Sequence, residues 1–582
     1  MLRFLMRSGV VAGAIALAGC DLEVANPNDP IQNQVLGTPL DAEALLGRQY
    51  LRWHQGLYGS TTVLWGMTAG QAFENYSSLA NNCQNQRNSI PRAVNDNSIG
   101  NGCNGEQSRV YFFHNEVNRT ASTVLALLEQ EGYTIGSPAR DNRARAYGQF
   151  LRGLSLGYLA MMYDSSAVIS PIMSDAEEDC VPDRLSGICT GALRGYNEVR
   201  DSAFAALQLA IDLATAPTTG SGGFPLPSDW VSSPTSFTSA EFVRLVRSYR
   251  ARIRANIPRT PDEADDEVDW DAVIADAENG VTSDHQIRTI TTAGLGNSWL
   301  QQWNSFGNWH QMTPFIIGMG DKSGSYQAWI AQPLSARGAT GSFFMETPDL
   351  RFPQGATRFA QQQDFAINSC ETASTPCKRY FRNRSEGDDS NLGVSWGWSN
   401  YDFARFRSWH IRGDGSARNG NLTFLTRAEL DLLAAEGHYR NGDFPEAAAL
   451  INKTRTAGMV DGVATGGGLP AVSDVPEDEV PGGTECVPKK PVNASSAGGA
   501  TLVCGDMLEA LKWEKRIETA YTHFSGWFFD SRRWGDLVEG TPLYFAVPYT
   551  DLLARGRAPS AIYSTGVNTT PGSAAGPSTY GW

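Results

Sequence analysis

The sequence contains no Cys-x-x-Cys pair, no His-Glu-x-x-His and no Gly-Lys-Ser/Thr phosphate loop. With only 7 scattered histidines, nothing is arranged as a zinc site. The missing loop argues against Walker-type nucleotide binding. Basic residues are also scarce: 47 Lys and Arg stand against 62 Asp and Glu, a formal charge of −15. Phosphate backbones are bound by clustered Lys and Arg, so the balance argues against nucleic acid as a partner. It likewise disfavours adsorption to anionic membrane surfaces. Beyond the first residues there is no long uncharged apolar run of the roughly 18 residues that suggest a spanning helix.

What is present begins at the N-terminus. Arg3 and Arg7 precede a short apolar stretch, Val10 to Leu17, and then Leu17-Ala18-Gly19-Cys20. A positive start, a short apolar core and small residues describe a secretory signal peptide over 1–19. Leu-Ala-Gly-Cys resembles the bacterial lipobox, whose Cys is diacylated and becomes the new N-terminus of a mature chain, here 20–582. The alternative is an ordinary signal peptide that happens to end in Cys. On the lipobox reading Cys20 is the lipid attachment point and the only anchor, and two or more acyl chains suffice for stable attachment. Without Arg3 and Arg7 the mature chain carries 45 basic and 62 acidic residues, or −17.

Of 9 cysteines, those other than Cys20 fall into close couples: Cys83 and Cys103, Cys180 and Cys189, Cys370 and Cys377, Cys486 and Cys504. An even count in an exported chain reads as disulfides. Sequential pairing is the simplest of the 105 connectivities open to eight cysteines. Each bridge would staple one Gly/Asn/Ser/Pro-rich loop, contributing about 2–3 kcal/mol in the loop-entropy model.

Hydrophobic residues make up 41% of the chain, enough for a large core. Apolar positions recur with helical period over Leu45 to Leu57, Gln107 to Glu131, Ala139 to Tyr163, Tyr196 to Ala214, Ser239 to Asn256 and Trp270 to Asn279. They recur again over Thr426 to Tyr439, Phe444 to Thr456 and Asp506 to Phe524, where Asp506 and Glu509 are spaced as a cap. The helices come in couples. In the clearest, Leu430, Leu433, Ala434 and Gly437 share a face, Asn441-Gly442-Asp443 turns the chain, and Ala447, Leu450, Ile451 and Thr454 form the return face. Each unit has the length of a tetratricopeptide repeat. The expected fold is mainly α, a tetratricopeptide-like solenoid of four helical hairpins with large irregular, aromatic-rich insertions. The scaffold spans about 41–283 and 425–458, with 506–535 packed on it. The acidic run Asp262 to Asp269 reads as a solvated linker.

The principal insertion, about 284–424, is rich in Trp, Gly, Asn and Ser. Trp299, Trp303, Phe306 and Trp309 are followed by Tyr326 and Trp329, then by Trp396, Trp398, Tyr401, Phe403 and Phe406. Long insertions without regular structure are usually functional. The solenoid therefore reads as scaffold and the insertion as working surface, with a satellite core beneath long loops as the alternative. Catalytic patterns are few. Gly153-Leu154-Ser155-Leu156-Gly157 matches the nucleophile-elbow string but lies inside an uninterrupted helical pattern. His114-Asn115-Glu116 is half of a deaminase motif without its Pro-Cys-x-x-Cys partner. Asp388-Asp389 could serve a glycosidase, but reads more simply as surface charge. No catalytic residue, metal site or cofactor is expected.

In order and spacing, the chain resembles the SusD/RagB family of surface nutrient-binding lipoproteins. The features are the lipobox followed by Asp21-Leu22-Glu23 and Asn26-Pro27-Asn28, and the Arg427 to Gly458 hairpin with Ala435, Glu436, Asn452 and Arg455. To these are added Glu514-Lys515-Arg516-Ile517-Glu518 with Asp530-Ser531-Arg532-Arg533-Trp534-Gly535, and Phe545-Ala546-Val547-Pro548. The stretch Thr522 to Trp527 departs from the family pattern by about two extra residues. The resemblance implies a lid on a SusC-like, TonB-dependent transporter barrel in the outer membrane, facing the cell exterior. Such a lid captures an oligosaccharide or similar oligomer on aromatic rings. It implies that ligand-contacting rings come from the insertion and from the loop after the first helix, here Trp65, Trp303, Trp309, Tyr326 and Trp396. A surface-anchored glycan hydrolase and a repeat scaffold binding only protein are the competing readings.

Overall fold

The computed structural model describes residues 38–58, 64–77, 92, 96–102, 105–169, 191–217, 222–289, 310–333, 344–365, 377–384, 399–406, 420–493, 501–523, 525–538 and 540–557. The signal segment, Cys20 and the couples Cys83/Cys103 and Cys180/Cys189 lie outside these residues.

The first helices are α1 (Pro39–Gly47), α2 (Gln49–Tyr58) and α3 (Leu64–Gln71). Thr38 caps α1 in a reciprocal pair with Asp41, and Pro39 opens its first turn. Next come the long α4 (Gly105–Leu128), α5 (Pro138–Met162), α6 (Tyr196–Thr215) and α7 (Ser239–Asn256). Ser137 caps α5, and Thr238 with Glu241 forms a full capping box on α7. The acidic run expected as a solvated linker instead contains a short helix, α8 (Pro261–Asp266). Thr260 accepts from the Glu263 N–H and Pro261 fixes the first φ, so the local cap overrides the charge density. Asp269 then caps α9 (Trp270–Glu278).

Among its described residues the insertion carries three short α-helices, α10 (Pro314–Ile317), α11 (Ser325–Ile330) and α12 (Arg358–Gln363). After it come α13 (Arg427–Arg440), α14 (Phe444–Arg455), α15 (Met507–Thr519), α16 (Gly526–Trp534) and α17 (Tyr549–Ala554). Thr426 caps α13, and Asp506 accepts from the Glu509 N–H at the start of α15.

The expected couples pack as hairpins: α2 on α4, α5 on α6, α7 on α9, α13 on α14. Successive units stack as well, through α4 on α5, α6 on α7 and α9 on α13. The helical stack thus continues past the insertion. At the α9–α13 crossing a Cβ on Gly437 would stand 2.7 Å from Ile274, so a side chain there would separate the helices.

The insertion is closed at its base. Strand His285–Thr289 pairs antiparallel with Gly420–Leu425, from His285 opposite Leu425 to Thr289 opposite Gly420. Chain entry and exit are therefore joined by backbone hydrogen bonds. Phe424 on the exit strand reaches the centre of the scaffold. There its ring lies 5.8 Å from Trp53, which also meets Tyr158 at 5.0 Å and Tyr249 at 5.8 Å.

Beyond α14, Lys489–Asn493 pairs antiparallel with Thr501–Cys504. The Cys486–Cys504 disulfide, spanning 18 positions, closes this hairpin as the sequential pairing predicts. Cys377 is also disulfide-bonded and buried. Cys370 lies outside the described residues.

Candidate functional site

Three aromatic stretches, far apart in sequence, come together above the first helices. After α3, Tyr76 and Ser77 pair antiparallel with Gln311 and His310 of the insertion. The Thr313 hydroxyl donates to the Phe73 carbonyl at 3.2 Å, and the Phe73 and Phe315 rings stack at 4.5 Å. Tyr401 brings in the third stretch: its carbonyl accepts from the Met312 N–H at 3.0 Å, and the Ser399 hydroxyl donates to the Met312 carbonyl at 2.6 Å. The segments following Trp65, Trp309 and Trp396 are thus held against one another. Trp65 belongs to α3. Trp303, Trp309 and Trp396 lie outside the described residues, as do Asp388 and Asp389.

Tyr326 is enclosed. It is 1% exposed, its hydroxyl donates to the Phe315 carbonyl at 3.1 Å, and its ring stacks on Trp329 at 5.8 Å. In this structure it is a packing residue and offers no face to a ligand. The same holds more widely: these rings of the insertion are core, as the alternative to a working surface has it. Phe315, Trp329, Phe352, Phe381, Tyr401 and Phe403 belong to one hydrophobic core continuous with the scaffold. Phe352 and Phe381 stack face to face at 4.2 Å, and Phe403 stacks on Tyr521 at 5.7 Å. Rings on short irregular segments have no periodicity to reveal burial; only the tertiary contacts do.

The platform is locked to the C-terminal helices by buried charge. Arg351 and Asp349 are both fully buried and paired at 2.6 Å. Arg351 also reaches Glu514 at 2.7 Å and Glu518 at 3.1 Å on α15. The Trp513 indole donates to Asp349 at 2.9 Å, and Arg405 pairs with Glu518 at 2.8 Å. Further along, Arg533 joins Glu436 and Asp530, Lys515 joins Asp530, and Arg516 joins Asp536. Arg532 donates to four backbone carbonyls, those of Met161, Leu543, Asn256 and Ile257. Asn452 bridges the Val472 backbone through both N–H and C=O. Glu436, Asn452, Glu514 to Arg516, Glu518, Asp530, Arg532 and Arg533, which share in the sequence resemblance, are therefore clamps between scaffold, insertion and C-terminus. Burial works against the Glu429 charge, but Arg252 at 2.7 Å and the nearby His523 hold its carboxyl down at about 2.

Glu74 sits at the hinge of the platform. It is 1% exposed and follows Phe73, a non-glycine residue at φ 64°. One carboxylate oxygen accepts from the Tyr521 N–H at 2.8 Å. Burial pushes the carboxyl up to about 8, Tyr521 opposing and Asp530 adding to the rise. The Thr522 to Trp527 departure lies against the same hinge: Ser525, also left-handed at φ 57°, bonds the Thr68 hydroxyl at 2.6 Å.

The remaining catalytic strings are structural. Ser155 is fully buried in the middle of α5. A Cβ on Gly153 would meet Leu207 at 2.5 Å, and one on Gly157 would meet Ile253 at 2.6 Å. The elbow-like string is thus the seat of α6 and α7. His114 is buried against Trp53 and Tyr158, and burial lowers its imidazole to about 3. Among the described residues no group of three or more His, Cys, Asp or Glu could hold a metal ion, and no helix is long and apolar enough to cross a membrane.

A stack of helical hairpins, interrupted by an aromatic insertion and sealed by buried ion pairs, defines a class of helical-repeat protein with an elaborated face. No family model matches the chain, and no curated protein matches it in sequence. Solved structures do. A SusD superfamily protein from Parabacteroides distasonis covers 89% of this chain and 97% of its own, at 11% identity and TM-score 0.52. A SusD superfamily protein from Bacteroides vulgatus covers 86% and 89%, at 13% identity and TM-score 0.48. Another from that organism, described as a SusD-like carbohydrate binding protein, covers 87% and 86%, at 15% identity and TM-score 0.40. The chain has the fold of the SusD superfamily.

Proposed function

We propose that the protein is a SusD/RagB-type lipoprotein, anchored through Cys20 in the outer membrane and facing the cell exterior. It captures an oligosaccharide or a similar oligomer and delivers it to a SusC-like, TonB-dependent transporter barrel. The observation that carries this reading is the convergence of the three aromatic stretches on one platform, on a SusD-superfamily fold. Flat apolar rings beside placed polar groups are what recognition of sugar faces requires. The leader ending at Cys20 supports the anchor. The helical placement of Ser155 and His114 supports binding without turnover. Under this reading the ligand-facing rings are Trp65, Trp303, Trp309 and Trp396.

The test is to change each of these four to Ala and measure both melting temperature and affinity for a glycan identified on an array. Loss of one stacking ring, about 1–2 kcal/mol, weakens binding roughly tenfold with the fold intact. Tyr326→Ala is the control: a core ring costs about 3–5 kcal/mol of stability. If all four substitutions lower stability and none lowers affinity selectively, the rings are core. Turnover of any glycan in the panel would favour the hydrolase reading instead.

A further inference from the structure

A cleft of about 270 Å³ opens at the foot of the insertion, where the start of α7 meets the strand beginning at His285. It is on the helical scaffold, and no residue discussed above as ligand-facing lines it. Ser233 and Phe237 lie on one wall, Glu241 and Arg244 on another, and Thr282 to Gln286 on the third. The lining is mostly hydroxyl, carboxylate and guanidinium groups with a single half-exposed ring.

The walls are held in place before any ligand arrives. Phe237 exchanges both backbone hydrogen bonds with Leu226, at 2.7 and 3.1 Å. Its ring rests 5.9 Å from His285, which is buried and kept neutral by that burial, its imidazole lowered to about 3. Glu241 is fixed by accepting from the Thr238 N–H at 2.7 Å and hydroxyl at 2.8 Å. Asp284 accepts from the Arg427 N–H at 2.9 Å. Each carboxylate keeps lone pairs for further donors. A ligand therefore does not bear the cost of ordering these groups.

The chemistry selects a ligand class. Carboxylates accept from hydroxyls, Arg244 donates to ring or hydroxyl oxygens, and the Phe237 face suits the apolar side of a pyranose. Two carboxylates against one guanidinium disfavour an anion, so acidic sugars and phosphates are poor candidates.

We propose that this cleft is a second saccharide subsite, taking one or two units of a neutral glycan at the foot of the insertion. The proposal rests on the oligosaccharide reading above and extends it from the aromatic platform to the scaffold. A second contact on one chain raises the avidity for long glycans over short ones, because its binding becomes intramolecular.

The test uses the full-length mature protein and a panel of neutral oligosaccharides: maltoheptaose, cellohexaose, xylohexaose and mannohexaose, each with its disaccharide. Binding is followed by isothermal titration and saturation-transfer NMR. The variants are Phe237→Leu and Arg244→Ala; Arg244 is exposed, so its loss spares the core. Trp309→Ala reports separately on the platform. The expected result is a three- to tenfold loss of affinity for the long glycan in both cleft variants, unchanged melting temperature, and no change for a disaccharide bound at the platform. Full retention of long-glycan affinity in both variants, with loss only in Trp309→Ala, overturns the subsite and leaves the platform reading standing. Failure of the intact protein to bind any member of the panel removes both.

Discussion

Replacing Glu74 by Gln tests the electrostatics of the platform hinge. The carboxyl is 1% exposed and pushed up from 4.5 to about 8, chiefly by burial. An unfolded chain releases this proton near 4.5, whereas the folded protein keeps it until about 8. Between those values the folded state binds more protons, so stability falls as pH rises and levels off above the folded pKa. The slope is about 1.4 kcal/mol per pH unit, and from pH 5 to pH 8 the wild type loses roughly 3–4 kcal/mol through this group. Gln retains a carbonyl oxygen for the Tyr521 N–H and cannot ionise. Its own burial cost is the same at every pH. Guanidinium denaturation followed by tryptophan fluorescence at pH 5, 6, 7 and 8 gives the difference between the two proteins. The Glu74→Gln advantage should grow by roughly 3–4 kcal/mol across that range. Parallel stability profiles for the two proteins would show that Glu74 is ionised in the folded state and refute the reasoning.

Two further perturbations probe the clamps. Arg351→Met leaves Asp349, Glu514 and Glu518 facing one another in the core, which should cost about 3–5 kcal/mol at pH 8. The deficit should shrink as pH falls, because burial already raises the Glu514 carboxyl and losing Arg351 raises it further; a deficit independent of pH would mean that lost packing, not lost charge, is responsible. Cys486→Ser with Cys504→Ser removes a staple on a loop of 18 positions and should lower stability by about 3 kcal/mol. Peptide mapping of the non-reduced protein should recover 486–504 and 370–377, and a crossed bridge would refute the sequential pairing.

Much of the scaffold was legible because helix formation is a local matter. Apolar residues three and four apart marked α4 to α7, α9 and α13 to α15 close to their observed bounds, and Asp506 caps α15 as its spacing from Glu509 implies. The Cys486–Cys504 bridge was legible from proximity along the chain. The short α8, α10, α11 and α16 escaped notice because one or two turns carry too little periodicity to stand out.

By itself the sequence determined which of the long segments would be helical and how they couple. Only the tertiary structure decided what the insertion's rings and the C-terminal charges do. Phe352, Tyr326 and Tyr401 carry no pattern that separates a buried ring from an exposed one, and burial follows from what packs over them. Arg351 and Glu514 are 163 positions apart, and no local rule pairs them. Their partnership is set by long-range packing, because a charge taken out of water must find its counter-charge wherever the fold brings one.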